Sequence, residues 1–246
     1  GFITMDGGVV LDRRLTAMAV RDGMIIALGT GQSIRSMAGG APVVDLEGGV
    51  VMPGLIDCHN HFLRTALGRN RLQLEDARSI DQLLELIGAH AKDVPPGEWL
   101  LCSSRWHETT LQERRMPTAA ELDRATPDNP VYLPRGGHVV VTNSLGLRLA
   151  GVAPDSPDPP GGEFLRDRAG RLTGMLLESP AFSRLMRLLP LPTETERRVA
   201  IRDGMRAYNR AGITAIREPG LTDAEVLSYQ SVIPEEKSIR ASLMWR

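Results

Sequence analysis

Cysteine is nearly missing from this chain: Cys58 and Cys102 are the only two among 246 residues, and both sit in apolar, strand-like stretches. Two thiols cannot build the disulfide framework of a small secreted fold, so a reducing cytoplasm is the expected compartment. Aromatic residues make up only 4% of the sequence, which leaves aliphatic side chains and alanine to fill the core. No apolar run approaches the roughly 20 residues that span a bilayer, and the first residues show no secretory pattern. An excess of one charge is also lacking. The 29 Lys and Arg oppose 30 Asp and Glu for a formal net charge of −1, so nothing electrostatic points to nucleic acid or an anionic membrane as partner. What is left, 42% hydrophobic and 24% charged residues, suits a globular protein with one large domain or two small ones.

Residues 1 to about 52 read as short strands between glycine turns: Ala17–Val20, Gly23–Gly29, Val43–Leu46 and Gly49–Met52, with Asp22-Gly23 as a hairpin signal. This pattern suggests a small β-sandwich, with no cluster of catalytic residue types in it. After Pro53 strands and helices alternate, the pattern of βα units on a parallel sheet. Ile80, Leu83, Leu84, Ile87 and Ala91 follow helical spacing, behind Ser79 and Gln82 as a capping box. Thr118 with Glu121, Thr193 with Glu196 and Thr222 with Glu225 mark three further helix starts, and Ile201, Met205 and Tyr208 line the buried face of the long one. Trp99–Cys102, Val131–Leu133 and Gly212–Ile216 read as successive strands. Residues 154 to 174 break the rhythm, and Glu163–Asp167 with Gly170–Gly174 suggest a β-hairpin insertion. The chain opens in a strand-like run (Gly1–Asp6) and closes in another (Ala241–Arg246), as an internal piece of a longer protein would.

The chemistry concentrates at Asp57-Cys58-His59-Asn60-His61. On a strand, residues i and i+2 share a face, so the two imidazoles can point at one ion, and neutral imidazole is a good ligand for zinc and similar divalent metals. Asp57 shares that face and can orient an imidazole from behind. Cys58 is out of phase and is expected to pack on the other side of the sheet. Taken alone, two histidines at this spacing are usually a solvated pair near a loop.

The block Val50 to His61, with Pro53-Gly54 between two apolar runs, resembles the metal-binding first barrel strand of the amidohydrolase superfamily. Further fragments in order resemble its amidohydrolase-3 branch, which includes N-substituted formamide deformylase-like enzymes. They are Ala19–Gly23, Arg105–Glu108, Pro127–Val131, Arg135–His138, Asn143-Ser144, Asp158–Gly162, Thr173–Glu178 and Ala211–Thr214. The resemblance implies a (β/α)8 TIM-type barrel, incomplete in this chain, beginning near residue 53 beside the β-sandwich of residues 1–52 and interrupted by the hairpin insertion at about 154–174. It implies a hydrolase of C–N bonds other than peptide bonds, holding one or two divalent metal ions, zinc first. His59 and His61 fall on the ligand positions, at the strand ends where barrel active sites gather.

Glu178 matches the family's carboxylate at a later strand end, where it bridges two cations; it reads equally as an acid at the start of the helix near Pro180. His138, between Gly136-Gly137 and Val139–Val141, is a substrate-binding group, a partner behind the ligands or an ordinary loop histidine. Trp106 and His107 line the substrate pocket in this reading, although the family more often shows a carboxylate at the second of these. Arg217-Glu218 departs from the family's usual polar pair and carries no assignment. His90 is expected to face solvent.

The family also supplies two later histidines and a catalytic aspartate, which the five histidines of this sequence do not include, so the chain alone is expected to be inactive. The partner expected is a small-molecule substrate, with a homo-oligomer left open. A mononuclear deaminase of the same superfamily and a non-catalytic degenerate scaffold are the alternatives.

Overall fold

The computed structural model describes residues 1–5 and 8–245; Asp6 and Arg246, the far ends of the two terminal strand-like runs, lie outside the described residues. Two short antiparallel ladders come first. Strands β1 (Phe2–Thr4) and β2 (Val10–Asp12) form one, and β3 (Ala17–Arg21) and β4 (Met24–Gly29) the other. The second turns at Asp22 and Gly23, whose φ angles of 51° and 77° are those of the tight hairpin that the Asp-Gly pair favours. Helix α1 (Gly31–Ala38), capped by Thr30, packs on this hairpin through Ile34.

The expected strands at Val43–Leu46 and Gly49–Met52 are a correction: this stretch is irregular and exposed apart from a single bridge between Val51 and Phe2. Glu47 and Gly48 turn the chain at φ 48° and 80°, and among the described residues no ladder forms along this stretch beyond the Val51 bridge. Among the described residues the N-terminal region is therefore two separate ladders and a helix, not two packed sheets.

The rest of the chain contains β5 (Leu55–Asp57), α2 (Phe62–Gly68), α3 (Ile80–Ala91), β6 (Leu100–Leu101), α4 (Ala119–Ala125), β7 (Val131–Arg135), β8 (Val139–Val141) and α5 (Ser144–Leu149). It continues through β9 (Glu163–Arg166), β10 (Leu172–Leu177), α6 (Glu178–Met186), α7 (Glu194–Arg210), β11 (Ile213–Leu221), α8 (Asp223–Glu236) and β12 (Arg240–Trp245). Its sheet order corrects the single parallel series read from the alternation. β5 pairs in parallel with β11, and β11 with β12, while the strands between them in sequence form a separate sheet of order β6-β7-β8-β10-β9. In that sheet only β6 and β7 run parallel.

The physical reason lies in the connections. Gly136 to His138 join β7 and β8, with Arg135 opposite Val139, and so short a link can only return antiparallel. The expected hairpin is present as β9 and β10, but β10 also pairs with β8, so the hairpin is built into this five-stranded sheet with β9 at its edge. Among the described residues the sheets do not close into a ring.

Leu83, Ile87, Leu100, Leu122 and Leu133 pack between α3, α4 and one face of the mixed sheet, and Val140, Phe164, Leu176 and Leu185 pack on its other side. A third core joins α2, α7, α8 and β11 through Phe62, Ile201, Met205, Ile216 and Tyr229. Here α7 carries Gly204, where an added Cβ would stand 2.8 Å from the Phe62 ring, so the glycine lets α2 lie against α7. Among the described residues no helix is long and apolar enough to cross a membrane.

Candidate metal centre

Strand β5 ends at Asp57, whose carboxylate closes the chain on itself. Oδ1 accepts the His59 backbone N–H at 3.3 Å and Oδ2 accepts from Asn60 Nδ2 at 2.6 Å. An aspartate that binds the backbone two residues on stops a strand and begins a turn. His59 and His61 therefore occupy the loop after β5, a correction to their placing on the strand itself, and His61 is the cap residue of α2. Asp57 likewise serves the backbone and Asn60 instead of an imidazole. Cys58 is exposed where packing was expected, because the turn carries it out of the sheet. Cys102 is buried and its thiol is pushed up to about 12 by desolvation.

The two imidazole rings lie 5.8 Å apart between centroids, with planes at 82°. That separation is close to the roughly 5 Å required of two imidazoles sharing one tetrahedral ion with bonds near 2.1 Å. Burial first, then the Arg64 and His59 charges, lower the pKa of His61, while the Pro219 carbonyl opposes them. The neutral ring so favoured is the ligand form. Asn60 Oδ1 is buried beside them with no hydrogen-bond partner. Two imidazole nitrogens at this spacing fit a divalent cation.

A residue with no role assigned from the sequence underlies this loop. Glu218 on β11 is 2% exposed and accepts the Leu63 backbone N–H at 2.9 Å with Oε1; the Tyr229 hydroxyl donates to Oε2. Its phase was visible, since it shares the buried face of β11 with Ile216, but its partners lie far away in sequence.

Glu178 opens α6 directly after β10, at φ 65°. Its N–H donates to the His138 carbonyl at 2.8 Å, and its carboxylate lies 3.0 Å from His138 Nδ1. The register explains the pair, because Leu177 stands opposite Val139 on the neighbouring strand. At the C-terminal end of β7, Arg135 Nε donates to Glu108 at 2.7 Å and holds that carboxyl below its usual range. His107 lies beside it, its Nδ1 3.3 Å from Glu108 Oε2, about half exposed. Trp106 is buried in the core with its indole N–H donating to the Pro134 carbonyl at 3.0 Å. His90, expected in solvent, is half-buried in the last turn of α3, where the helix turns its side against the core beneath.

The structure thus makes two pairs, His59 with His61 and His138 with Glu178. Among the described residues no three His, Cys, Asp or Glu side chains gather as a group able to hold one ion.

The amidohydrolase family model matches residues 42–242. An N-substituted formamide deformylase of Arthrobacter pascens is 37% identical over 67% of this chain and 31% of its own length. The putative amidohydrolase YtcJ of Bacillus subtilis is 31% identical over 67% of this chain and 32% of its own length. The structure resembles that of an uncharacterized metal-dependent hydrolase from Pyrococcus furiosus with a TM-score of 0.61 at 19% identity, covering 99% of this chain and 48% of that one. The chain spans about a third of the length of these two named relatives. With the family model matched over most of its length and the ordered fragments in place, this chain belongs to the amidohydrolase family.

Proposed function

We propose that the chain contributes the first metal ligands of a hydrolase that cleaves C–N bonds other than peptide bonds, of amide or formamide type, in a small-molecule substrate in the cytoplasm. His59 and His61 hold the cation, zinc first, and Glu178 supplies the carboxylate toward a second ion. The observation that carries this reading is the His59–His61 pair in the loop at the carboxyl end of a parallel strand, with the neutral form of His61 favoured. In the same reading β5, β11 and β12 begin a (β/α)8 barrel starting near residue 53, and residues 1–52 belong to a smaller β-domain.

A divalent ion supplies Lewis acidity, polarising a scissile carbonyl and lowering the pKa of a water. The chain's own residues do the rest of the local work. Asp57 folds the loop that presents both rings, Asn60 leaves an acceptor oxygen buried beside them, and His138 steadies the Glu178 carboxylate. His107 stands exposed for substrate beside the Glu108–Arg135 pair.

A mononuclear deaminase is the second reading. It is favoured by Glu178, whose carboxylate is engaged by His138 and which forms no group of three with the two histidines among the described residues. The full-length protein, stripped of metal and reloaded with zinc or manganese, is assayed against N-acyl and N-formyl amines. Turnover is expected only with metal, and His59→Ala or His61→Ala is expected to lose more than the 10–100-fold typical of supporting residues. Turnover indifferent to chelator and to both substitutions would overturn the reading. One metal per chain, with hydrolysis of a cyclic amidine instead, would favour the deaminase.

A further inference from the structure

Glu218 is a carboxylate in a place where the rest of the strand face is apolar. It shares the buried side of β11 with Ile216 and Leu221, and both of its oxygens are occupied. Oε1 accepts from Leu63, the second residue of α2, whose N–H has no partner within its own helix. Oε2 accepts from Tyr229 of α8, which is fully buried and whose phenol is pushed up by burial and by Glu218, so that it remains a donor.

The residue before Glu218 grips the same loop. The Arg217 carbonyl accepts the Asn60 N–H at 3.1 Å. Two successive residues of β11 therefore hold Asn60 and Leu63, on either side of His61. From the other side Phe62 is wedged edge-on against Tyr208 at 4.9 Å and lies 6.1 Å from the Tyr229 ring.

We propose that Glu218, fixed by Tyr229, is a positioning residue for the His59–His61 metal site: it sets where α2 begins and thereby the direction of the His61 imidazole. The proposal rests on the reading of His59 and His61 as ligands. A pair kept for stability alone would be replaceable, since buried charged or polar pairs exchanged for apolar groups of similar shape are often neutral or stabilising. A pair kept for position would not, because the apolar substitute leaves the helix entry unspecified.

The test uses the full-length protein, metal-free, titrated with cobalt(II) and followed by its visible absorption, with thermal unfolding recorded alongside. Glu218→Met combined with Tyr229→Phe is expected to stay folded and to lose about 10-fold in cobalt affinity. Glu218→Gln keeps an acceptor oxygen for Leu63 and is expected to lose no more than about threefold. Val232→Ala, in the same core, is expected to lower the unfolding temperature and leave affinity unchanged. Unchanged affinity and spectrum in the double variant would overturn the proposal, as would an equal loss in Val232→Ala. Should the double variant fail to fold, Tyr229→Phe decides: a shifted cobalt spectrum with weaker binding supports the proposal, and wild-type binding overturns it. His61→Ala is the separate control, since undiminished cobalt binding there would refute the ligand reading itself.

Discussion

A side chain at φ 65° crowds the neighbouring carbonyl, which costs roughly 1–2 kcal/mol for any residue but glycine, and Glu178 adopts that conformation at the junction of β10 and α6. Nothing in the backbone needs a carboxylate there. The N–H bond to the His138 carbonyl would survive in any residue, and the side-chain contact with the His138 ring is exposed, so it adds little. Asp22, Glu47, Arg114 and Lys237 also hold positive φ, but of the five only Glu178 is a candidate ligand, and there the strain fits a side chain kept for its chemistry. Glu178→Gly is therefore expected to fold with stability within about 1 kcal/mol of wild type, or above it, in urea denaturation. A loss beyond about 2 kcal/mol would mean the carboxylate is structural instead. At this scale the sequence was readable where the signal was local. The spacing of His59 and His61 lies within three residues, whereas the turn that Asp57 makes with the His59 N–H and Asn60 was not read, the stretch being taken as strand. Glu218 was not readable, because strand phase shows that it is buried but not that Leu63 and Tyr229 meet it. Nor was the burial of Trp106, whose indole finds its acceptor on β7.

Helix starts were the most legible elements, since a cap is a contact across three residues. Thr118 and Thr193 each form the full reciprocal box with the glutamate three residues on, and at Thr222 the Glu225 carboxylate reaches back to the threonine N–H and hydroxyl. Ser79 accepts from the Gln82 N–H as expected, but the Gln82 side chain reaches back to the N–H of Arg78 instead of Ser79. Helix α2 was hidden, because its seven residues follow immediately on the two histidines and leave no room for a separate signal.

The box at α4 makes a pH prediction. Arg115 first, then the Thr118 groups, lower the Glu121 carboxyl from its usual 4.5 to about 2. A group lowered on folding contributes stability above its unfolded pKa and loses it as pH falls through the folded one. The gap in unfolding temperature between wild type and Glu121→Gln is thus expected to be constant above about pH 4.5 and to close toward pH 2. A gap of the same size at pH 2.5 and pH 6 would contradict this.

At the scale of the whole molecule, strand pairing over long separations was what the sequence could not display. Strand β5 joins β11 across more than 150 residues, and no local pattern separates that sheet from the mixed sheet folded between them. The result leaves apolar surface uncovered. Parallel strands are ordinarily covered on both faces, yet Leu55 and Ile56 of β5 are 48% and 61% exposed, and Val43 and Val44 are 73% and 81% exposed. With Met24, Ile25 and Trp245 also exposed, the 246-residue chain is expected to bind the dye ANS while folded and to self-associate with rising concentration in sedimentation velocity. A monomer at all concentrations with no dye binding would show that this surface is covered in solution.

The central claim, that His59 and His61 are metal ligands, is tested most directly by crystals of the full-length protein grown with zinc and measured on both sides of the zinc absorption edge. The expected result is an anomalous peak about 2.0–2.1 Å from a ring nitrogen of each histidine. Strong zinc peaks elsewhere, with none between these two rings, would contradict it.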